Sequence, residues 1–199
     1  MNLDLWRNRI SNRTDLVARI THLTKGSSNE EAFEKLWKIL IDKMLIGSGK
    51  RGYIVGTEKA VCFQEVPLYS IVENLLFEDT LDDKTRYSWF GLRFNKIQMY
   101  RNGARPVLYG KTEELKTVLN PKDYWRIVDL DLEKTDVVDW SHEREWRILG
   151  DFQFEYNDIE VIVRDDYYYQ KFVNRCIKEE RMDILCTVHG VIPLNTVIS

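Results

Sequence analysis

The residues best suited to chemistry lie together in DWSHEREWRILG, residues 139–150. This stretch holds Glu143 and Glu145, Arg144 and Arg147, His142, and two tryptophans, Trp140 and Trp146. Carboxylates in pairs serve glycosidic-bond cleavage, whose transition state puts positive charge on a sugar carbon and its ring oxygen. If EREWRIL is a strand, its side chains alternate between faces. Trp146 and Ile148 then enter a core, while Glu143, Glu145 and Arg147 share the other face. The two carboxylates would stand about 7 Å apart along such a strand. The same pattern suits a solvated strand face with Glu–Arg pairing. Asp139, His142, Glu143 and Glu145 are also of types that ligate Mg2+ or Mn2+, although a strand that sends them to both faces gives poor coordination geometry.

The elements that must position these groups can be traced along the chain. LVARITHLTKG alternates apolar and polar residues and predicts a short strand ending near Leu23. SSNEEAFEKLWKILIDKMLIGSG predicts a helix, with Ser28 and Glu31 at capping-box spacing, a periodic stripe of Phe33, Leu36, Trp37, Leu40 and Met44, and Gly47 and Gly49 at its end. KAVCFQEVPL predicts a buried strand that stops before Pro67, and LYSIVENLLF a helix. YSWFGLRF, ARPVLYG, YWRIVDLDL, REWRIL, DIEVIVR and DILCTV predict further strands; KTEELKTVLNPKD reads as a polar segment and DDYYYQKFVNRCIKEE as a helix. No low-complexity linker, repeat or composition break divides the 199 residues. The expectation is one α+β domain, residues 1–199, with about seven short strands. The irregular alternation of strands and helices disfavours a doubly wound parallel sheet.

Bulk properties exclude some classes. The net charge of −3 is not that of a dedicated nucleic-acid coat. One local window, 95–111, carries Lys96, Arg101, Arg105 and Lys111 without an acid and could guide a nucleic-acid acceptor. Three cysteines, Cys62, Cys176 and Cys186, are widely spaced and form no metal pattern with the three histidines. The opening MNLDLWRNRISNR has no apolar core of a signal peptide, and no run reaches the length of a membrane span. A reduced, cytoplasmic protein with no membrane association and no metal is expected.

Three stretches in order, RITHLTK, then AVCFQEVPLY after a glycine-bearing turn IGSGKRGYIVG, then EREWRI late in the chain, resemble the ADP-ribosyltransferase superfamily. The likeness is greatest to its His-containing branch with the E-x-E motif, which includes the DarT toxins that modify DNA bases and related abortive-infection (phage-defence) proteins. It covers about residues 19–165. The resemblance implies a split β-sandwich of two small antiparallel sheets with peripheral helices, and NAD+ in the cleft between the sheets. It implies a transferase moving ADP-ribose from NAD+ to a macromolecular acceptor, DNA first, otherwise RNA or protein, in a toxin–antitoxin or anti-phage setting with an antitoxin protein as partner.

Carried over by motif, Glu145 is the catalytic carboxylate and Glu143 orients or deprotonates the acceptor. His22, with Arg19 as the competing candidate, touches the nicotinamide-side ribose, and Thr24 lies near the same sugar. Phe63, Gln64 and Tyr69 shape the nicotinamide pocket. Arg51, the one arginine between the first and second strand motifs, is the counterpart of a catalytic arginine and, with the glycines of GSGKRG, a pyrophosphate partner. The second strand departs from the family pattern in lacking Ser-Thr-Ser, with Cys62 and Phe63 in its place. A chain that kept such a fold without turnover, a binding module, is the alternative this departure favours; a metal-dependent nuclease is the third.

Overall fold

In a computed structural model, residues 2–50, 53–81 and 87–198 are described. The elements run α1 (Leu3–Ser11), β1 (Arg19–Leu23), α2 (Asn29–Asp42), β2 (Met44–Leu45), β3 (Ala60–Gln64), α3 (Leu68–Glu78), β4 (Gly91–Asn95), α4 (Lys96–Arg101), β5 (Arg105–Pro106) and β6 (Leu108–Gly110). They continue with α5 (Thr112–Val118), β7 (Ile127–Asp129), β8 (Glu145–Leu149), β9 (Phe152–Gln153), β10 (Ile159–Val163), α6 (Asp166–Lys178), α7 (Met182–Thr187) and β11 (Val191–Pro193). The fold is mixed α+β, its strand pairing is mostly antiparallel, and no closed barrel forms among the described residues. No helix of the described residues is long and apolar enough to cross a membrane. The chain divides into two compact units, the first Met1–Lys43, Val66–Asn95 and Phe154–Ser199, the second Met44–Glu65 and Lys96–Gln153.

In the first unit the strands lie in the order β11, β10, β4, β1. β1 and β10 each run antiparallel to β4, and β11 runs parallel to β10. Gly91 opens β4 because a Cβ there would lie 2.2 Å from the His22 carbonyl oxygen; only a bare Cα lets the strands approach this closely. Helix α2 begins where expected. The Ser28 hydroxyl caps the Glu31 N–H at 3.2 Å, and the Glu31 carboxylate reaches back to the Ser27 N–H at 2.7 Å, one residue before the usual capping-box partner. Its stripe Ala32, Phe33, Leu36, Trp37 and Leu40 is buried. It meets the α6 stripe Tyr168, Phe172 and Cys176, spaced at four residues. Phe33 packs against Phe90 at 5.9 Å between ring centres, and Trp37 against Phe172 at 5.9 Å, both edge-on.

Two expectations change here. The helix stops at Asp42, with Lys43 in the left-handed region (φ 49°), not at Gly47. Gly47 is needed elsewhere in the second unit: a Cβ would lie 2.4 Å from the Gly150 carbonyl oxygen. DILCTV is helix α7, not a strand. Its Ile184 is fully buried, and the place beside β10 is taken by β11.

In the second unit β8 is the middle of three antiparallel strands, between β3 and β5. β2 pairs antiparallel with β9, and β6 runs parallel to β7. KTEELKTVL, expected as a polar segment, contains helix α5. The β3–β8 register sets Phe63 opposite Trp146 and Val61 opposite Ile148 on one face. All four are buried. Phe63 meets Phe152 edge-on at 6.5 Å, and the Trp146 indole N–H donates to Glu65. The other face carries Cys62 opposite Arg147 and Gln64 opposite Glu145.

Candidate functional site

Alternation therefore sorts β8 as expected: Trp146 and Ile148 point one way, Glu145 and Arg147 the other. The second face is not solvated, however. Glu145 is 8% exposed and Arg147 2%. Glu143 is also buried but stands off the strand. It ends a short 3-10 turn, Ser141–Glu143, and Arg144 then takes a left-handed backbone (φ 46°, ψ 53°) that turns the chain into β8. The expected shared strand face for both carboxylates is thus replaced by a turn carrying Glu143 and a strand end carrying Glu145.

Arg147 holds Glu145 at two points. Its Nε donates to Oε1 at 2.8 Å and its Nη2 to Oε2 at 3.2 Å. Its Nη1 donates to the carbonyls of Trp125 at 2.7 Å and Ile127 at 3.0 Å. The planar guanidinium is thus engaged on both sides, which fixes the carboxylate direction. Burial disfavours the Arg147 cation, but the carboxylate beside it more than offsets this and holds its pKa above the ordinary value. The backbone of Glu145 is pinned as well. Its N–H donates to the Tyr109 hydroxyl at 2.7 Å, and its carbonyl accepts from the Val107 N–H at 3.0 Å.

Two further groups complete the cluster. Burial pushes the Tyr109 phenol up to about 12, with the charges of Glu145 and Glu143 adding to the effect, so it keeps its proton. Its oxygen accepts from Glu145, which leaves the O–H as a donor. The Cys62 thiol, across from Arg147, is raised above its ordinary value by burial first and by Glu145 second, and hydrogen-bonds to Glu145. Opposite Glu145, Gln64 is 5% exposed, and its Nε2 is enclosed without a hydrogen-bond partner among the described residues. With both carboxylates ionised, Glu143, Glu145 and Arg147 carry a formal charge of −1. A fixed carboxylate, an unengaged amide donor across the strand pair and a protonated phenol suit a ligand with vicinal hydroxyls and developing positive charge.

The other expected site residues are placed as follows. Phe63 is 1% exposed inside the second unit, so its ring has no open face for a ligand. Arg51 falls outside the described residues. In the first unit, His22 is half-buried on β1, opposite Leu92. Arg19 leaves the same strand from the opposite face and pairs with Glu160 at 3.0 Å. Thr24 is engaged structurally: its hydroxyl lies 2.7 Å from that of Ser88 and 3.1 Å from the Phe90 carbonyl. Tyr69, on α3, is 53% exposed. Among the described residues no three His, Cys, Asp or Glu side chains gather closely enough to hold a metal ion.

Sequence reasoning missed Tyr109, Cys62 and the enclosed role of Arg147. Arg147 was visible in the motif but read equally well as a surface partner. Tyr109 and Cys62 join the cluster only through strand pairing, which nothing near them in the chain reveals. Comparison with known proteins found no matching family model, no matching curated protein and no matching solved structure.

Proposed function

We propose that the chain is an NAD+-dependent mono-ADP-ribosyltransferase with a split β-sandwich fold of the ADP-ribosyltransferase type. In this reading it acts on a macromolecular acceptor, DNA first, as a toxin or phage-defence effector. The observation that carries the reading is the enclosed Glu145 carboxylate at the head of β8. Arg147 orients it, a second buried carboxylate, Glu143, stands one turn earlier, and the Gln64 Nε2, unpaired among the described residues, lies across the strand pair. The C1′–N bond of NAD+ breaks, and its electron pair leaves with nicotinamide. Glu145 accepts a hydrogen bond from the ribose 2′-OH and stabilises the cationic sugar. The acceptor's nucleophile forms the new bond to C1′ while its proton passes to Glu143.

The test is incubation with labelled NAD+ and a mixture of DNA, RNA and protein. Label is expected in one macromolecular pool. Glu145→Gln, folded by circular dichroism, is expected to lose roughly 10²-fold or more of the turnover. For Glu143→Gln, transfer should fall further than nicotinamide release. Undiminished turnover in folded Glu145→Gln would overturn the reading.

Two observations favour a second reading, a binding module without turnover: Arg147 already pairs with Glu145, and Phe63 is closed to a ligand. NAD+ binding by calorimetry without nicotinamide release would select it.

A further inference from the structure

We propose that the face of β1 and β4 opposite His22 carries an oxyanion site, built by Arg19, Thr21 and Arg93, that takes a phosphate-type group. Alternation puts Arg19 and Thr21 on that face. Register then sets Arg93 opposite Thr21, and Glu160 of β10 opposite Arg93, so the three form a row across three strands. Glu160 serves both arginines, with Oε1 3.0 Å from Arg19 Nε and Oε2 2.7 Å from Arg93 Nη1. Among the described residues it is the one carboxylate paired with either guanidinium. Two cations against one anion leave a formal charge of +1. Burial, with Arg19 nearby, holds the Arg93 pKa below its ordinary value despite Glu160; the two cations oppose each other at this spot.

The second observation is independent of charge. The Thr21 hydroxyl and Arg19 Nη1 are enclosed, and neither has a hydrogen-bond partner among the described residues. Thr21 is only 1% exposed. Valine would fill the same volume without burying an unpaired hydroxyl, a group that is costly to leave unsatisfied. Arg19 Nη2 comes to 3.5 Å from His189 Nδ1, which adds an exposed imidazole at the margin. An unpaired N–H and O–H beside surplus positive charge complement an oxyanion: guanidinium binds phosphate through paired N–H donors, and a hydroxyl supplies a third. The Arg19 and Arg93 side chains remain 24% and 16% exposed. This site lies wholly in the first unit and does not depend on the transferase reading.

Titration with inorganic phosphate, at ionic strength held constant with chloride and followed by calorimetry, tests the site. Wild type is expected to bind one phosphate saturably. Thr21→Val and Arg93→Met should each weaken binding by roughly 10-fold or more. Glu145→Gln should bind as wild type does, which separates this outcome from any failure of the transferase reading. Thr21→Val, nearly isosteric, decides alone if Arg93→Met does not fold. No saturable binding by wild type, or equal binding by folded Thr21→Val, would assign the enclosed atoms to an internal water and overturn the proposal.

Discussion

The contact between Arg147 and Glu145 removes two charges from water, and it holds because each charge is satisfied by more than the other. Two carbonyls, those of Trp125 and Ile127, take the far side of the guanidinium. Breaking such a pair from one side leaves a buried charge alone. Arg147→Met is therefore expected to destabilise the fold by about 3–5 kcal/mol in urea unfolding. The double change Glu145→Met with Arg147→Met should recover part of this. A residue of about 1–3 kcal/mol should persist, because the two carbonyls lose their donor. Equal losses in single and double variants would mean that the pair contributes only packing. The thiols are a second check at this scale. Cys62 and Cys176 are both raised above the ordinary thiol range, chiefly by burial, whereas Cys186 is exposed. A thiol reagent at neutral pH should modify one cysteine per native chain, and Cys186→Ser should abolish that reaction. The candidate carboxylate was legible at this scale because E-x-E is local. Its partners were less so, since Tyr109 sits 36 residues away.

At the scale of elements, the turn before β8 does the positioning. Arg144 occupies the left-handed region, where a Cβ costs about 1–2 kcal/mol, while its carbonyl accepts the Glu65 N–H at 3.2 Å. Glycine removes that strain but gains freedom in the unfolded chain worth about 0.5–1 kcal/mol. Arg144→Gly should therefore raise stability by up to about 1 kcal/mol, read as a higher Tm, with Glu145 still in place. A lower Tm would show that the arginine side chain, rather than the backbone, holds the turn. Helix α2 was legible because its stripe and its Ser28 cap are both written locally. DILCTV was not, since a short apolar run has no period that separates strand from helix. Its fate rested on the Val191–Pro193 segment claiming the position beside β10.

For the whole molecule, the charge budget bears on the acceptor. The window 95–111 looked like an open basic run. In the structure Lys96 pairs with Glu65 at 2.6 Å, and Arg105 donates to the carbonyls of Tyr100 and Ala104. Lys111 pairs with Glu133. Three of the four cations are thus engaged by the protein, and the chain as a whole carries −3. If DNA is the acceptor, its binding should depend weakly on salt, with log K falling against log salt at a slope of about −1 to −2. A slope near −4 would mean that these cations leave their partners to bind phosphate.

The sequence by itself determined the α+β composition, the apolar stripe of α2, and the turn of Glu145 away from Trp146, because each follows from a period of a few residues. Only the tertiary structure decided that Glu145 is enclosed, that Glu143 stands off its strand, and that Gln64, Cys62 and Tyr109 surround it. It alone showed that Arg19 and Arg93 share Glu160. The reason is physical. Alternation tells which side of its own strand a residue takes, but burial and partnership depend on which strands pair and in what register, and that is settled by contacts between segments far apart in the chain.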